Sequence, residues 1–184
     1  MILGIDASTS CTAASVIDKD KNILFIESWK LTSTKLDSLY KKVSFIREQL
    51  KELKKFDIKE IYIEEPLMNF KFGKTSAHTL SLLHRFNGII SNICYELFNI
   101  EPELINSGKA RKLANVKKVS EKYKHAKNVP PKKIEALESL TAALPVLTVI
   151  ENASGVIKTS EYDKIDSLVV AIAGLTLWQT KQKS

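Results

Sequence analysis

IKEIYIEEP, residues 58 to 66, places β-prone apolar residues between acids and then stops on a proline. Side chains alternate along a strand, so Tyr62 and Glu64 share one side while Ile61, Ile63 and Glu65 share the other. The stretch reads as a buried strand that ends on carboxylates. Pattern alone does not say which of the two glutamates faces a given neighbour.

The chain opens in the same way, with ILGID at residues 2 to 6. TAASVI (12 to 17) and NILFIESW (22 to 29) follow, separated by a small-residue turn and by the charged turn DKDK, which predicts an antiparallel meander. Between Lys35 and Lys55, Leu36, Leu39, Tyr40, Val43, Ile46, Leu50 and Leu53 recur every three or four residues. That spacing predicts an amphipathic helix crossing over to the strand at 58 to 65.

A second long helix is predicted over 75 to 98, with Leu80, Leu83, Phe86, Ile90, Ile93 and Leu97 on one stripe. Gly88 in its middle is worth about 1 kcal/mol less than alanine, which predicts the close approach of another backbone or helix there. EPELI (101 to 105) predicts a fifth strand, and Asn106 or Ser107 can cap a helix through GKARKLANV. KKIEALESLTAAL predicts a helix ending near Pro145, a short extended piece follows, and residues 162 to 180 close the chain as a largely apolar helix.

With 184 residues the chain fits one domain with a full core. The run KKVSEKYKHAKNVPPKK, 117 to 133, reads as a solvated, partly mobile excursion within that single domain, residues 1–184. Lys and Arg number 28 against 21 Asp and Glu, a net charge of +7, which favours a polyanionic partner. Cys11 and Cys94 lack ligand or disulfide spacing and are expected as free thiols in a reducing compartment. Asp6 falls where a signal peptide would still be apolar, and no run of about 18 apolar residues predicts a membrane span.

Asp6 ends one predicted strand, Glu64 and Glu65 end another, and Asp163 and Asp166 open the last predicted helix. The helical pair, three residues apart, projects from one face. Singly, each acid has an ordinary explanation: a turn for Asp6, exposure for Glu65, the positive end of a helix dipole for Asp163. If the two strands are neighbours, the acids meet, and so many like charges cannot all ionise without a cation between them. Hard oxygen donors point to Mg²⁺, with Mn²⁺ as a substitute.

GID at 4 to 6, IEE at 63 to 65, a long helix after a polar loop, and D-x-x-D followed by small and apolar residues at 163 to 173 resemble the RuvC-type Holliday junction resolvases of the ribonuclease H-like superfamily, phage and organellar relatives included. The resemblance runs in order over residues 1 to 115 and again over 160 to 178. It implies an α/β, ribonuclease H-like fold: a mixed five-stranded sheet, three strands antiparallel and then two parallel, with helices on both faces. It further implies that Asp6, Glu64, Asp163 and Asp166 form a catalytic, metal-binding tetrad holding two Mg²⁺ ions. The implied activity is endonucleolytic cutting of four-way junctions and related branched DNA, leaving a 5′-phosphate and a 3′-hydroxyl. A homodimer built on the helix at 75 to 98 and a cytoplasmic setting, in a bacterium, a phage-infected host or an organelle, are also implied.

In relatives, the loop after the strand-end glutamate wedges an aromatic residue into the junction; here PLMNFKFGKTS offers Phe70 or Phe72 for stacking and Lys71 and Lys74 for phosphates. Lys109, Arg111 and Lys112, with Lys117 and Lys118, can line a phosphate track. Two departures stand out. Ala7, Ser8, Thr9 and Ser10 replace the Pro-Gly pair that follows the first aspartate in many relatives, and the lysine-rich excursion has no counterpart in the bacterial enzymes.

ILGIDASTSCTAASVI also resembles the opening of the actin-like ATPase and sugar-kinase fold, including proteins of the tRNA threonylcarbamoyl-adenosine machinery. Such proteins cradle phosphate with glycine-rich turns, whereas the six glycines here are unclustered. A third reading keeps the fold and binds branched nucleic acid without cutting it.

Overall fold

A computed structural model describes residues 1–66 and 76–183. Strands β1 (Ile2–Ala7), β2 (Cys11–Ile17) and β3 (Ile23–Lys30) form the antiparallel meander expected from their alternation. Helix α1 (Leu39–Lys51), flanked by short 3₁₀ turns, leads to β4 (Glu60–Glu64), which pairs with β1 in parallel. Then come α2 (Ala77–Phe98), β5 (Glu103–Ile105) parallel to β4, α3 (Ser107–Leu113), α4 (Pro131–Ala143) and α5 (Thr159–Lys181). The sheet order is β3-β2-β1-β4-β5, the mixed arrangement the sequence implied.

The period-two pattern divides the core into two layers. Leu3 and Ile5 of β1, with Ile61 and Ile63 of β4, face α1 and α2, where Ile46, Leu50, Phe86, Ile90 and Ile93 cover them. Ile2 and Tyr62 point the other way, into a layer made by α3, α4 and α5. This parity answers what IYIEE left open, because Glu64 stands two residues beyond Tyr62 and so points to the α5 side. Asp6, four residues beyond Ile2, does the same.

Helix α5 seats directly on β1, and glycines permit it. A Cβ on Gly4 would overlap the backbone of Ala171 and Ser167, and one on Gly174 would overlap the Tyr62 ring. Ser15 and Ser167 hydroxyls share a 2.6 Å hydrogen bond across the same seam. The stretch of α5 from Ser167 to Gly174 is thereby fixed against the sheet.

Several expectations are corrected. Gly88 is exposed, with open space where a Cβ would sit, so nothing among the described residues approaches it closely; the close approaches fall at Gly4 and Gly174 instead. Helix α5 starts at Thr159, which puts Asp163 in its second turn, beyond the first turn to which the helix dipole is confined. The extended piece after Pro145 reduces to isolated bridges, Glu151 with Ile157 and Lys124 with Val156. The 117 to 133 excursion is exposed at most of its lysines, but it is not simply solvated: the side chain of His125 is buried, and the last residues, Pro131 to Lys133, begin α4.

Candidate active site

The β1–β4 register pairs Ile5 with Ile63, so Asp6 and Glu64 lie side by side one residue further on. From above, α5 lowers Asp163 and Asp166, whose spacing of three puts both on the face turned to the strand ends. Asp6, Asp163 and Asp166 each offer a carboxylate oxygen, and these three oxygens lie within 4.8 Å of one another. Glu64 stands beside this trio: its charge acts on Asp6, and the charge of Asp166 acts on it. The four acids assigned from the sequence converge at the ends of β1 and β4 and on α5.

The cations of the site come from the chain itself. Lys133, in the first turn of α4, places its Nζ 2.7 Å from Asp163 Oδ1 and 2.9 Å from Asp166 Oδ2. Arg111 of α3 donates from Nη2 to Asp166 Oδ1 at 3.1 Å, and its buried Nε has no partner among the described residues. Two protein cations partly neutralise four carboxylates.

Neutralisation is incomplete, and the proton affinities show it. Burial, compounded by the charges of Glu64 and Asp166, holds Asp6 well above the ordinary carboxylate range, against the pull of Lys133. Burial and Asp166 raise Glu64 to about 7, with Arg111 and Lys133 opposing. Burial works against the charge on Lys133, but Asp166, Asp163 and Asp6 more than offset it and raise its pKa. The Cys11 thiol, beside Asp163 on β2, is pushed up to about 12 by burial first and by that carboxylate second. It is a neutral neighbour, not a thiolate ligand.

An acid with a raised folded pKa contributes stability that is complete below its unfolded value and is lost as pH rises through the folded one. For Glu64 that window runs from its ordinary 4.5 to about 7, and Asp6 adds in the same direction. The urea midpoint of the chain in EDTA is therefore expected to fall between about pH 5 and about pH 7.5, and saturating Mg²⁺ should flatten the slope. A midpoint that does not change over this range in EDTA would contradict the charge frustration described here.

The turn from Ala7 to Ser10 is built without the Pro-Gly pair. Ser8 Oγ donates to Cys11 O at 2.7 Å and accepts from Cys11 N at 3.1 Å, while Thr12 Oγ1 donates to Ser8 O. Lys42 of α1 caps the turn by donating to Thr9 O at 2.6 Å. Asn87 of α2 donates to the carbonyl of Glu64 at 2.9 Å, steadying the end of β4.

The basic residues divide into two groups. Lys109, Lys112, Lys117 and Lys118 are exposed, as a phosphate track requires, whereas Arg111 turns inward to Asp166. Phe70, Lys71, Phe72 and Lys74 lie outside the described residues. Sequence reasoning missed Lys133, which was indistinguishable from its neighbours in a lysine-rich run; Pro131 at the first helical position was the one local hint that this lysine starts a helix.

The donor set suits a hard divalent cation: clustered carboxylate oxygens, no soft ligand among the described residues, and raised proton affinity that a cation would relieve. No family-level sequence profile matches the chain, and no curated protein does so by sequence. Solved structures do match. RuvC of Thermus thermophilus, in complex with a Holliday junction substrate, superposes with a TM-score of 0.67 at 14% identity, covering 97% of this chain and 94% of that one. The yeast mitochondrial Holliday junction resolvase Ydc2 gives 0.56 at 15%, covering 99% and 80%. In its sheet order and helical layers, this chain has the ribonuclease H-like fold of the RuvC-type Holliday junction resolvases.

Proposed function

We propose that this protein is a metal-dependent, structure-selective endonuclease that hydrolyses phosphodiesters in four-way junctions and related branched DNA. The observation that carries the reading is the convergence of Asp6, Glu64, Asp163 and Asp166 from three separate elements, on a fold whose solved relatives include junction resolvases. Asp6, Asp163 and Asp166 would hold divalent ions of the Mg²⁺ class, with Glu64 completing the set. Such ions supply Lewis acidity to a phosphoryl oxygen and acidify water.

The protein's own groups do the rest. Lys133 and Arg111, once divalent ions take over their carboxylate partners, are cations left at the rim to meet a phosphate. Lys109, Lys112, Lys117 and Lys118 continue that positive surface outward and hold the backbone without reading sequence. Phe70 or Phe72 is proposed for stacking on unpaired bases, with Lys71 and Lys74 on phosphates. A second copy, docked along α2 where Gly88 and Tyr95 are exposed, would set two sites on opposed strands.

The nucleotide-cradling alternative is disfavoured by the β1–β2 turn. Its Ser8 hydroxyl is engaged with the turn's own backbone, where a phosphate-binding turn would direct amides outward. Incubation of the protein with a synthetic four-way junction and Mg²⁺, beside a linear duplex of the same sequence, tests the proposal. Paired nicks in the junction, absent from the duplex and from EDTA controls, are expected. Tight binding with no cutting would favour the non-cleaving reading.

A further inference from the structure

A buried polar network lies behind the acid cluster, and nothing in the proposed chemistry uses it. His125, with 5% of its side chain exposed, sits 2.8 Å by its Nε2 from Glu138 Oε1, a carboxylate only 3% exposed. Its Nδ1 lies 2.7 Å from the Tyr162 hydroxyl. Glu138 Oε1 also accepts from the backbone N–H of Tyr123 at 2.9 Å. A ring that donates from Nε2 to the Glu138 carboxylate and accepts the Tyr162 hydroxyl at Nδ1 gives both ring nitrogens a partner.

Such a network is poorly explained by stability alone, because apolar residues of similar volume would serve a core as well or better. Its placement has a different logic. Glu138 lies on α4, five residues after Lys133; Tyr162 lies on α5, immediately before Asp163. His125 therefore ties the helix that delivers the lysine to the helix that delivers the aspartates. The loop bearing it is itself fixed, by Ile157 N donating to Lys124 O at 3.0 Å and Lys117 N donating to Ser139 Oγ at 3.0 Å.

We propose that His125 is a positioning residue, a cross-brace through Glu138 and Tyr162 that holds the start of α5, and with it the Asp163–Asp166 pair, in place against Asp6 and so shapes the cation site. The inference rests on reading the cluster as a divalent-cation site. Breaking the brace loosens the start of α5, so Asp163 and Asp166 are held less firmly over Asp6 and the grip on the ion weakens. The exposed lysines on the same loop feel it less, since the loop retains its other anchors.

Tyr162→Phe removes one hydroxyl and keeps the ring, so it should fold. Mn²⁺ binding followed by calorimetry on the full chain without nucleic acid is expected to weaken about tenfold, the low end of the range for groups that orient metal ligands. Glu138→Gln, whose amide oxygen accepts the same two bonds, should stay within about threefold of wild type, while Glu138→Ala should not. In junction cleavage the Tyr162→Phe loss should appear in kcat and leave junction affinity unchanged.

Wild-type Mn²⁺ affinity in folded Tyr162→Phe and Glu138→Ala overturns the brace, as does a loss confined to junction affinity. A wild-type chain that binds Mn²⁺ yet cuts no junction sinks the nuclease reading and leaves the brace to be decided by the calorimetry. A wild-type chain that takes up no Mn²⁺ overturns both.

Discussion

Asp6→Asn is expected to reduce Mg²⁺-dependent cutting of a four-way junction by about a thousandfold or more, equivalent to about 4 kcal/mol of lost transition-state stabilisation. Glu64→Gln should behave alike, and both variants should still bind the junction, because the exposed lysines proposed to meet phosphate are untouched. Asp6 stands at the centre of the cluster, with Glu64 on the neighbouring strand and Asp163 and Asp166 above it. Removing its charge takes away one hard ligand while keeping its shape.

The same substitution should act on stability with the opposite sign. Asp6 is a desolvated acid among like charges, so its amide analogue relieves repulsion that the metal-free fold otherwise carries. Asp6→Asn is expected to melt higher than wild type in EDTA at pH 8, and the difference should shrink in Mg²⁺. A residue conserving only the turn after β1 would lose stability on replacement and leave cutting intact. Cleavage at near wild-type rates in both Asp6→Asn and Glu64→Gln would remove the tetrad from the chemistry.

Much of this arrangement is legible in the sequence because it depends on short-range periodicity. The alternation in ILGID and IYIEE gave strands to within a residue or two, and the 3.6-residue stripe in α2 was buried where Phe86, Ile90 and Ile93 predicted. Asn106 caps α3 by accepting from Gly108 N, one of the two caps expected. The choice of Glu64 over Glu65 needed one further fact, the face of β1 on which α5 lies, and that is a property of packing. Gly4 carries it, since only a residue without a side chain lets α5 come so close.

What stayed illegible was long-range charge pairing. Lys133 and Arg111 look like other basic residues in the chain, and no local spacing distinguishes an ammonium that turns inward from one that remains in water. Arg111 read as a phosphate contact because its neighbours Lys109 and Lys112 are such candidates, yet on a helix residues one and two apart face different ways. His125 was hidden in the same manner, inside a run whose composition signals solvent. In both cases the deciding partner lies at least 13 residues away: Glu138 for His125, Asp166 for Arg111.

Lys133→Met should separate the two cations that compete for the cluster, the one built into the chain and the one taken from solution. Lys133 bridges Asp163 and Asp166 from a site where 29% of its side chain is exposed, and methionine keeps its length without its charge. Removing one partner from a largely buried ion pair is expected to destabilise the metal-free chain by about 3 kcal/mol, read from urea denaturation in EDTA. The loss should be greater at pH 8 than at pH 5, since at the lower pH the raised acids take up protons and need the ammonium less. Mn²⁺ affinity should increase, because the ion no longer displaces an internal ligand. At an ion concentration about a hundredfold above its dissociation constant, binding returns about 2.7 kcal/mol, nearly the whole deficit, so wild type and variant should converge in stability when loaded. If Lys133 is a bystander, the variant will match wild type in EDTA; if it helps to hold the ion, Mn²⁺ affinity will fall. Either result contradicts the picture of a lysine that occupies the cation site until a divalent ion replaces it.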